Sequence, residues 1–259
     1  MPPFQTPAKK TRRLIASTLG ALLGALFCAA PVHAADNAAN NTPALGWAGQ
    51  VALGGSLATG NTDRQALDLE VKAQFRSTVH SEDRYKALGD LARENGAITA
   101  QRVQLAVQSN YDISKDKFYV LAFTQYDRDK FSGFSYEAEI GPGVGYRFVR
   151  TDRMNFFMEF STGYRHGEAQ AGGTDDNQIF ARGTVTAEYQ LSDNAKLANE
   201  MLITGDEQRL KLENTFSVTS TLIRDIAARI SINVRYNTDP PIAVKKVDTL
   251  SKVALVYAF

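Results

Sequence analysis

The chain has 259 residues, 44% hydrophobic and 22% charged, with a mean hydropathy of −0.26, too polar overall for a helical membrane protein. From Gln50 to Phe259 no run nears the roughly 18 apolar residues that a spanning helix needs. Four of the 29 Lys and Arg residues fall in residues 1–34, which hold no acid, leaving 25 bases against 28 acids beyond; without a basic surplus to neutralise phosphates, nucleic acid is excluded as a partner.

Lys9, Lys10, Arg12 and Arg13 precede an apolar stretch, Leu14–Ala30, and Val32-His33-Ala34 places small or compact residues where a signal peptidase reads. This predicts a cleaved export signal over residues 1–34, cut after Ala34 or, one residue on, after Ala35. Cys28 as a lipid acceptor is opposed by bulky Phe27 before it. Arg12-Arg13 as a twin-arginine signal is at odds with a mature chain that folds in a membrane. Cys28 is the one cysteine, so the mature chain is expected to carry no disulfide and no thiolate metal site. Residues 35–45 read as a short disordered lead.

From Gly46 the dominant signal is period two. Leu67, Leu69, Val71, Ala73 and Phe75 alternate with Asp68, Glu70, Lys72, Gln74 and Arg76; Ile226 to Tyr236 alternates in the same way with Ala227 to Arg235. A helix would spread these polar residues over every side, whereas a strand sorts them onto one face. Twelve such segments follow one another: about 46–57, 65–78, 83–94, 99–111, 117–127, 135–148, 153–165, 178–190, 195–204, 208–220, 225–236 and 248–259. Their connections alternate between short turns (His80–Glu82, Asp112–Asp116, Arg150–Asp152, Ser192–Asn194, Ile223-Arg224) and longer or Gly-rich pieces (Thr59–Asp63, Asn95–Ala97, Arg128–Phe134, His166–Asn177, Gly205–Glu207, Asn237–Val247).

That pattern predicts an all-β fold, an antiparallel up-and-down transmembrane β-barrel of about 12 strands closed by its first and last strand over residues 46–259, in the outer membrane of a Gram-negative bacterium. Both mature termini then lie on the periplasmic side with the short turns. Closure follows because backbone groups in lipid must all be paired, and an open sheet would leave two sticky edges. Aromatics near strand ends (Trp47, Phe75, Tyr85, Tyr111, Tyr126, Tyr136, Phe148, Tyr164, Tyr189, Tyr236) suit interfacial girdles.

The last strand carries a further signal. Lys252, Ala254, Tyr257 and Phe259 fill the polar, small, aromatic and terminal-Phe places of a segment resembling the recognition signal of barrels inserted by the outer-membrane assembly machinery, with Ala254 where Gly is more usual. Outer-membrane lipid, lipopolysaccharide and that machinery are the expected partners.

Several blocks also resemble the salt-induced outer-membrane protein family: Gly55–Asp63, Tyr126–Phe131, Gly141–Arg147, Tyr189–Asn194, and Thr238–Pro241 with Lys245-Lys246 following. Ile242-Ala243 departs from the Gly expected there. The likeness spans nearly all of 46–259 and implies a barrel and a link to salt or envelope stress; it supplies no substrate and no catalytic residue.

No catalytic, cofactor or metal site is predicted. His80-Ser81 sit in a tight turn where adjacent side chains point apart, unlike a nucleophile–base pair. His166, Glu168 and Thr174-Asp175-Asp176 read as a solvated acidic loop rather than a Ca²⁺ site. Gly141, Gly143 and Gly145 share one strand face with no helix following, so they make room inside the barrel or mark a bulge, and Pro142 favours the bulge.

By parity the inward face holds Asp68, Glu70, Lys72, Arg84, Lys86, Asp90, Arg102, Glu137, Glu139, Arg147, Glu159, Arg182, Glu188, Glu200, Lys211, Glu213, Arg229, Arg235 and Lys252. Long side chains of both signs predict a narrow or occluded lumen crossed by ion pairs. On the outward face Asn199 and Asn214 break the apolar rule. A Gly205–Gln208 loop pairing Thr204 with Arg209 would set them opposite each other, as a mutual hydrogen bond, a dimer face or a sign that this register is wrong. The last is favoured. Function follows as a narrow channel for ions or small polar solutes or, alternatively, a non-transporting barrel acting in envelope integrity or surface binding.

Overall fold

The computed structural model describes residues 45–58, 64–114, 117–131, 134–170, 175–207, 209–238 and 246–259. The expectations for residues 1–44 and for the loops 59–63 and 239–245 lie outside them. Twelve strands follow in chain order: β1 (Gly46–Ala58), β2 (Arg64–Arg76), β3 (Ser81–Glu94), β4 (Ala97–Ser114), β5 (Phe118–Asp129), β6 (Phe134–Arg150), β7 (Met154–Ala169), β8 (Asp176–Ser192), β9 (Ala195–Gly205), β10 (Leu210–Ile223), β11 (Ile226–Asn237) and β12 (Val247–Ala258). Each pairs antiparallel with its chain neighbours, and β1 pairs with β12, so the sheet is a closed barrel.

The strands form where the alternation places them, but β4 and β6 to β8 run further than the periodicity suggests. Register shifts explain the difference. They fall near strand ends, as at Asp112/Ser114, Phe134/Tyr136 and Arg147/Val149, and Gln190/Ser192. A bulge reverses the parity locally, so the two-residue pattern breaks while pairing continues. Pro142 is not one of these places. Its neighbours Ile140↔Tyr164 and Gly143↔Ser161 keep one register, and Pro142 itself faces Ala122 of β5. The bulge reading is therefore corrected; the room-making one is taken up below.

One connection in the longer set is in fact tight: Glu94 pairs with Ala97, and Asn95 (φ 51°) and Gly96 (φ 84°) make the turn. Two positive φ values in a two-residue hairpin loop are what the twist of the flanking strands demands, and Asn-Gly supplies them with little strain. The β1–β12 join is completed by Gly49 and Phe259, which exchange backbone hydrogen bonds of 2.8 and 2.9 Å.

Alternate residues point outward, and they are apolar: Leu53, Leu105, Ile140, Phe160, Ile179, Ile230 and Val253 are all exposed. Such a continuous band needs a lipid surface to cover it. Aromatics gather towards the two ends of the barrel. Trp47 lies 4.8 Å from Phe75 and 5.6 Å from Tyr85 at the end that holds Gly49 and Phe259. Tyr126 stacks on Tyr136 at 5.6 Å towards the opposite end.

Asn199 and Asn214 do lie on this outward face. The true register sets Asn199 against Phe216 and Asn214 against Met201, so the Thr204–Arg209 pairing is wrong by two residues. The amides meet diagonally instead, donating to each other at 3.2 and 3.3 Å. Reciprocal bonding removes most of the cost of two amides on an apolar wall.

Candidate functional site: the barrel lumen

Because every second residue points inward, the lumen is built by parity, and its contents divide into three clusters. At the end that carries Gly49 and Phe259, Glu159 of β7 is the centre. Its Oε1 accepts from Arg84 Nη1 at 3.0 Å, Gln108 Nε2 at 3.0 Å and the Tyr119 hydroxyl at 2.7 Å. Arg84 also donates through Nε to Glu82 at 2.6 Å, and Glu82 accepts from Arg76. Arg147 donates to Asp112 at 2.7 Å, its guanidinium 4.2 Å from the Tyr119 ring centre.

Towards the opposite end the centre is Arg165, 2% exposed. It donates to Glu139 Oε1 at 2.7 Å and to Asp206 Oδ2 at 2.8 Å, while Arg182 holds the other oxygen of Glu139. Asp206 and Arg209, between β9 and β10, join this network: Asp206 accepts from the Arg209 backbone N–H at 2.8 Å, and Arg209 Nη2 reaches Asp176 at 2.5 Å and Glu137 at 3.2 Å. Lys211 stands 3.8 Å from Glu137. Arg102 pairs with Asp127, to which Gln104 also donates.

Between these two clusters lies an apolar group that the inward-polar rule does not foresee: Tyr119, Leu121, Phe123 and Phe180 are all buried inside the barrel. Arg182 stacks 4.5 Å from the Phe123 ring and Arg165 5.0 Å from Phe180. The glycines of β6 make space for it. A Cβ on Gly145 would stand 2.1 Å from Tyr119 Cζ, and one on Gly143 would meet Leu121 and Ser161 within 3 Å. A Cβ on Gly141 would strike the Thr162 carbonyl oxygen at 2.0 Å, so β6 and β7 approach closely there.

The third cluster lies beside the β1–β12 join. Lys252 Nζ bonds Asp68 at 2.7 Å and Asp90 at 2.8 Å. Arg229 donates to Glu70 at 2.9 Å and to Gln50 at 2.8 Å. Lys72 Nζ stands 3.7 Å from Glu70 and 3.6 Å from Glu200, with Lys86 opposite Lys72 in the β2–β3 register. Lys196 pairs with Glu188 at 2.9 Å, and Arg235 with Glu213 at 3.3 Å.

This third region is open. A cavity of about 230 Å³ is bounded by these charges and by a wall of small inward residues, among them Ala52, Gly54, Ala198, Thr215, Ser217 and Ala254. A second, of about 100 Å³, is lined by Arg102, Asp127, Glu137, Glu139, Lys211 and Glu213, among others. The two adjoin along β9 and β10: Glu200 and Thr215 line the first, and the next inward pair, Leu202 and Glu213, lines the second.

Every charged residue assigned inward by parity thus has a place in or beside these clusters. Among the residues that parity alone did not single out are Arg165, Asp206, Arg209, Asp176, Arg76, Glu82, Asp112, Asp127 and the aromatic group. Arg165 shares parity with Glu159 on β7 and was legible as an inward residue at the end of the predicted segment. Asp176 is a lumen ligand of Arg209 and not an acid of the solvated loop; this corrects that reading. His166 Nδ1 lies 2.8 Å from Asn177 Oδ1, and the His80 ring packs 6.3 Å from Tyr111. Among the described residues no group of three or more His, Cys, Asp or Glu is disposed to hold a metal ion.

Residues 51–259 match the family model described as "Protein of unknown function, DUF481". No curated protein matches the sequence. Among solved structures, the chain is similar to an outer-membrane channel from Pseudomonas putida F1, with 10% identity, 83% of this chain and 96% of that one covered, and a TM-score of 0.54. It is also similar to the NanC porin, with 13% identity, 80% and 97% covered and a TM-score of 0.49. The translocator domain of the autotransporter NalP from Neisseria meningitidis gives 12%, 82% and 88%, and 0.48. At 10% identity the likeness to the Pseudomonas putida channel is one of fold, that of an outer-membrane β-barrel.

Proposed function

The chain belongs to DUF481, a family of proteins of unknown function, and we propose that it is an outer-membrane barrel with a narrow, off-centre channel for ions and small polar solutes. The observation that carries this reading is the cavity of about 230 Å³ lined by charges of both signs and small or hydroxyl side chains, which a water-filled path requires and a closed core would not keep. Purified protein in planar bilayers is expected to give resolved conductance steps; silence across salt and voltage removes the reading. Under it, residues 1–34 direct export, both mature termini face the periplasm, and lipopolysaccharide covers the outer leaflet. The assembly machinery engages Lys252, Ala254, Tyr257 and Phe259, and expression follows salt or envelope stress.

A second reading, a non-transporting envelope protein, is favoured by the ion pairs that Asp206 and Arg209 make across the lumen with Arg165 and Asp176. It expects silent bilayers and envelope phenotypes that track deletion of residues 166–177 or 237–247.

A further inference from the structure

Resting on the channel reading, we infer that Lys72 is the gate of the passage: its ammonium closes the lumen on Glu200 and opens it by turning back to Glu70. Around the ring β2 and β9 are separated by β1, β12, β11 and β10, so a contact between Lys72 and Glu200 is made through the interior and not along the wall. It stands at 3.6 Å, where the larger cavity adjoins the smaller one along β9 and β10.

The same ammonium is 3.7 Å from Glu70 on its own strand. Two carboxylates at nearly equal distance let the lysine change partner without ever being left unpaired. Glu70 is a fixed post, since Arg229 Nη1 holds its other oxygen at 2.9 Å. Lys86 beside Lys72 repels it from the wall and so favours the crossing.

Hydration separates this pair from the other contacts that cross the lumen. The Lys72 and Glu200 side chains are 38% and 45% exposed, against 2% and 8% for Arg165 and Glu139. A wet pair forms and breaks readily; a dry one is locked by the cost of stranding a charge. Ala198, Thr215 and Ser217 leave the side chain room to swing. When the gate opens, the solute passes between one positive and one negative group, so the class admitted is small ions of either sign and small zwitterions, with weak charge preference.

The test is bilayer recording on the wild type and on Lys72→Ala, Glu200→Gln and Glu70→Gln, each first shown folded by its heat-dependent shift on gels. Lys72→Ala and Glu200→Gln are expected to raise conductance about twofold, as the cross-section widens, and to move the reversal potential in opposite directions, towards cations and towards anions. Glu70→Gln is expected to lengthen closures, because the lysine then has only Glu200. A conducting wild type with all three variants unchanged overturns the gate and leaves the channel standing. A silent wild type with a conducting Lys72→Ala supports the gate as a closed one, and silence from every variant overturns channel and gate together. Lys72→Cys with Glu200→Cys, in a Cys28→Ser chain, is expected to be bridged by a bifunctional thiol reagent; no bridge overturns the gate regardless of conductance.

Discussion

The two sides of the lumen are filled differently, one with bulky aromatic and arginine side chains and the other with small residues and a cavity. On the β4–β8 side, Tyr119, Phe123, Phe157 and Phe180 are buried, with arginines 4.2 to 5.3 Å from their ring centres. On the β9–β12 and β1 side, the inward positions include Ala52, Gly54, Ala198, Ser217 and Ala254, with a cavity against them. The same closed ring of twelve strands supports both. The bore of such a barrel is therefore set by side-chain bulk on each wall and not by the strand count alone, and an off-centre passage results when the bulk is one-sided.

The comparison is tested most strongly at Arg165. Arg165→Ala leaves Glu139 and Asp206 buried without their main cation and is expected to cost about 3–5 kcal/mol, read as a lower temperature for loss of the compact band on gels. Lys252→Ala, on the open side, strands Asp68 and Asp90 where water can reach them; a loss of about 1–3 kcal/mol is expected, less than at Arg165. Equal losses at the two sites would break the distinction between a dry and a wet side. Gly145→Val drives a side chain into the Tyr119 ring, at a cost of about 1–3 kcal/mol from overpacking. Ala198→Leu, which enlarges the opposite wall, is expected to change stability by no more than about 0.5 kcal/mol while lowering conductance. A destabilisation by Ala198→Leu as large as that by Gly145→Val would show that both walls are packed.

The fold was legible because lipid outside and water inside impose a strict alternation on every strand, as in Leu67–Arg76. The lumen charges followed from the same parity. The aromatic group did not, because β5 reads Phe118, Tyr119, Val120, Leu121, Ala122, Phe123: both faces are apolar, and a period-two pattern is silent there. The one clue lay on the neighbouring strand, where Gly143 and Gly145 keep space for side chains opposite. Asp206 escaped because it lies beyond the predicted strand, where parity does not apply; Arg209, in the segment 208–220 with the parity of Lys211 and Glu213, was legible as inward but was not singled out. The Asn199–Asn214 contact was sensed from polarity, yet its register depended on where the four-residue loop begins; it starts one residue later than expected, after Gly205, and that shifts the pairing by two.

The exchange of hydrogen bonds between Gly49 and Phe259 bears on how the molecule forms. Each of the other eleven neighbour pairs is a hairpin, made of residues close along the chain and able to zip in succession. The final join brings together positions some two hundred residues apart, so its entropy must be surrendered in a single step, and distant contacts of this kind are the slow ones. Until that step occurs, β1 and β12 are both bare edges. The interval before ring closure is when the chain most needs an escort, and a circular permutant that links residues 46 and 259 while opening another hairpin should shift that vulnerable interval to a different pair of strands.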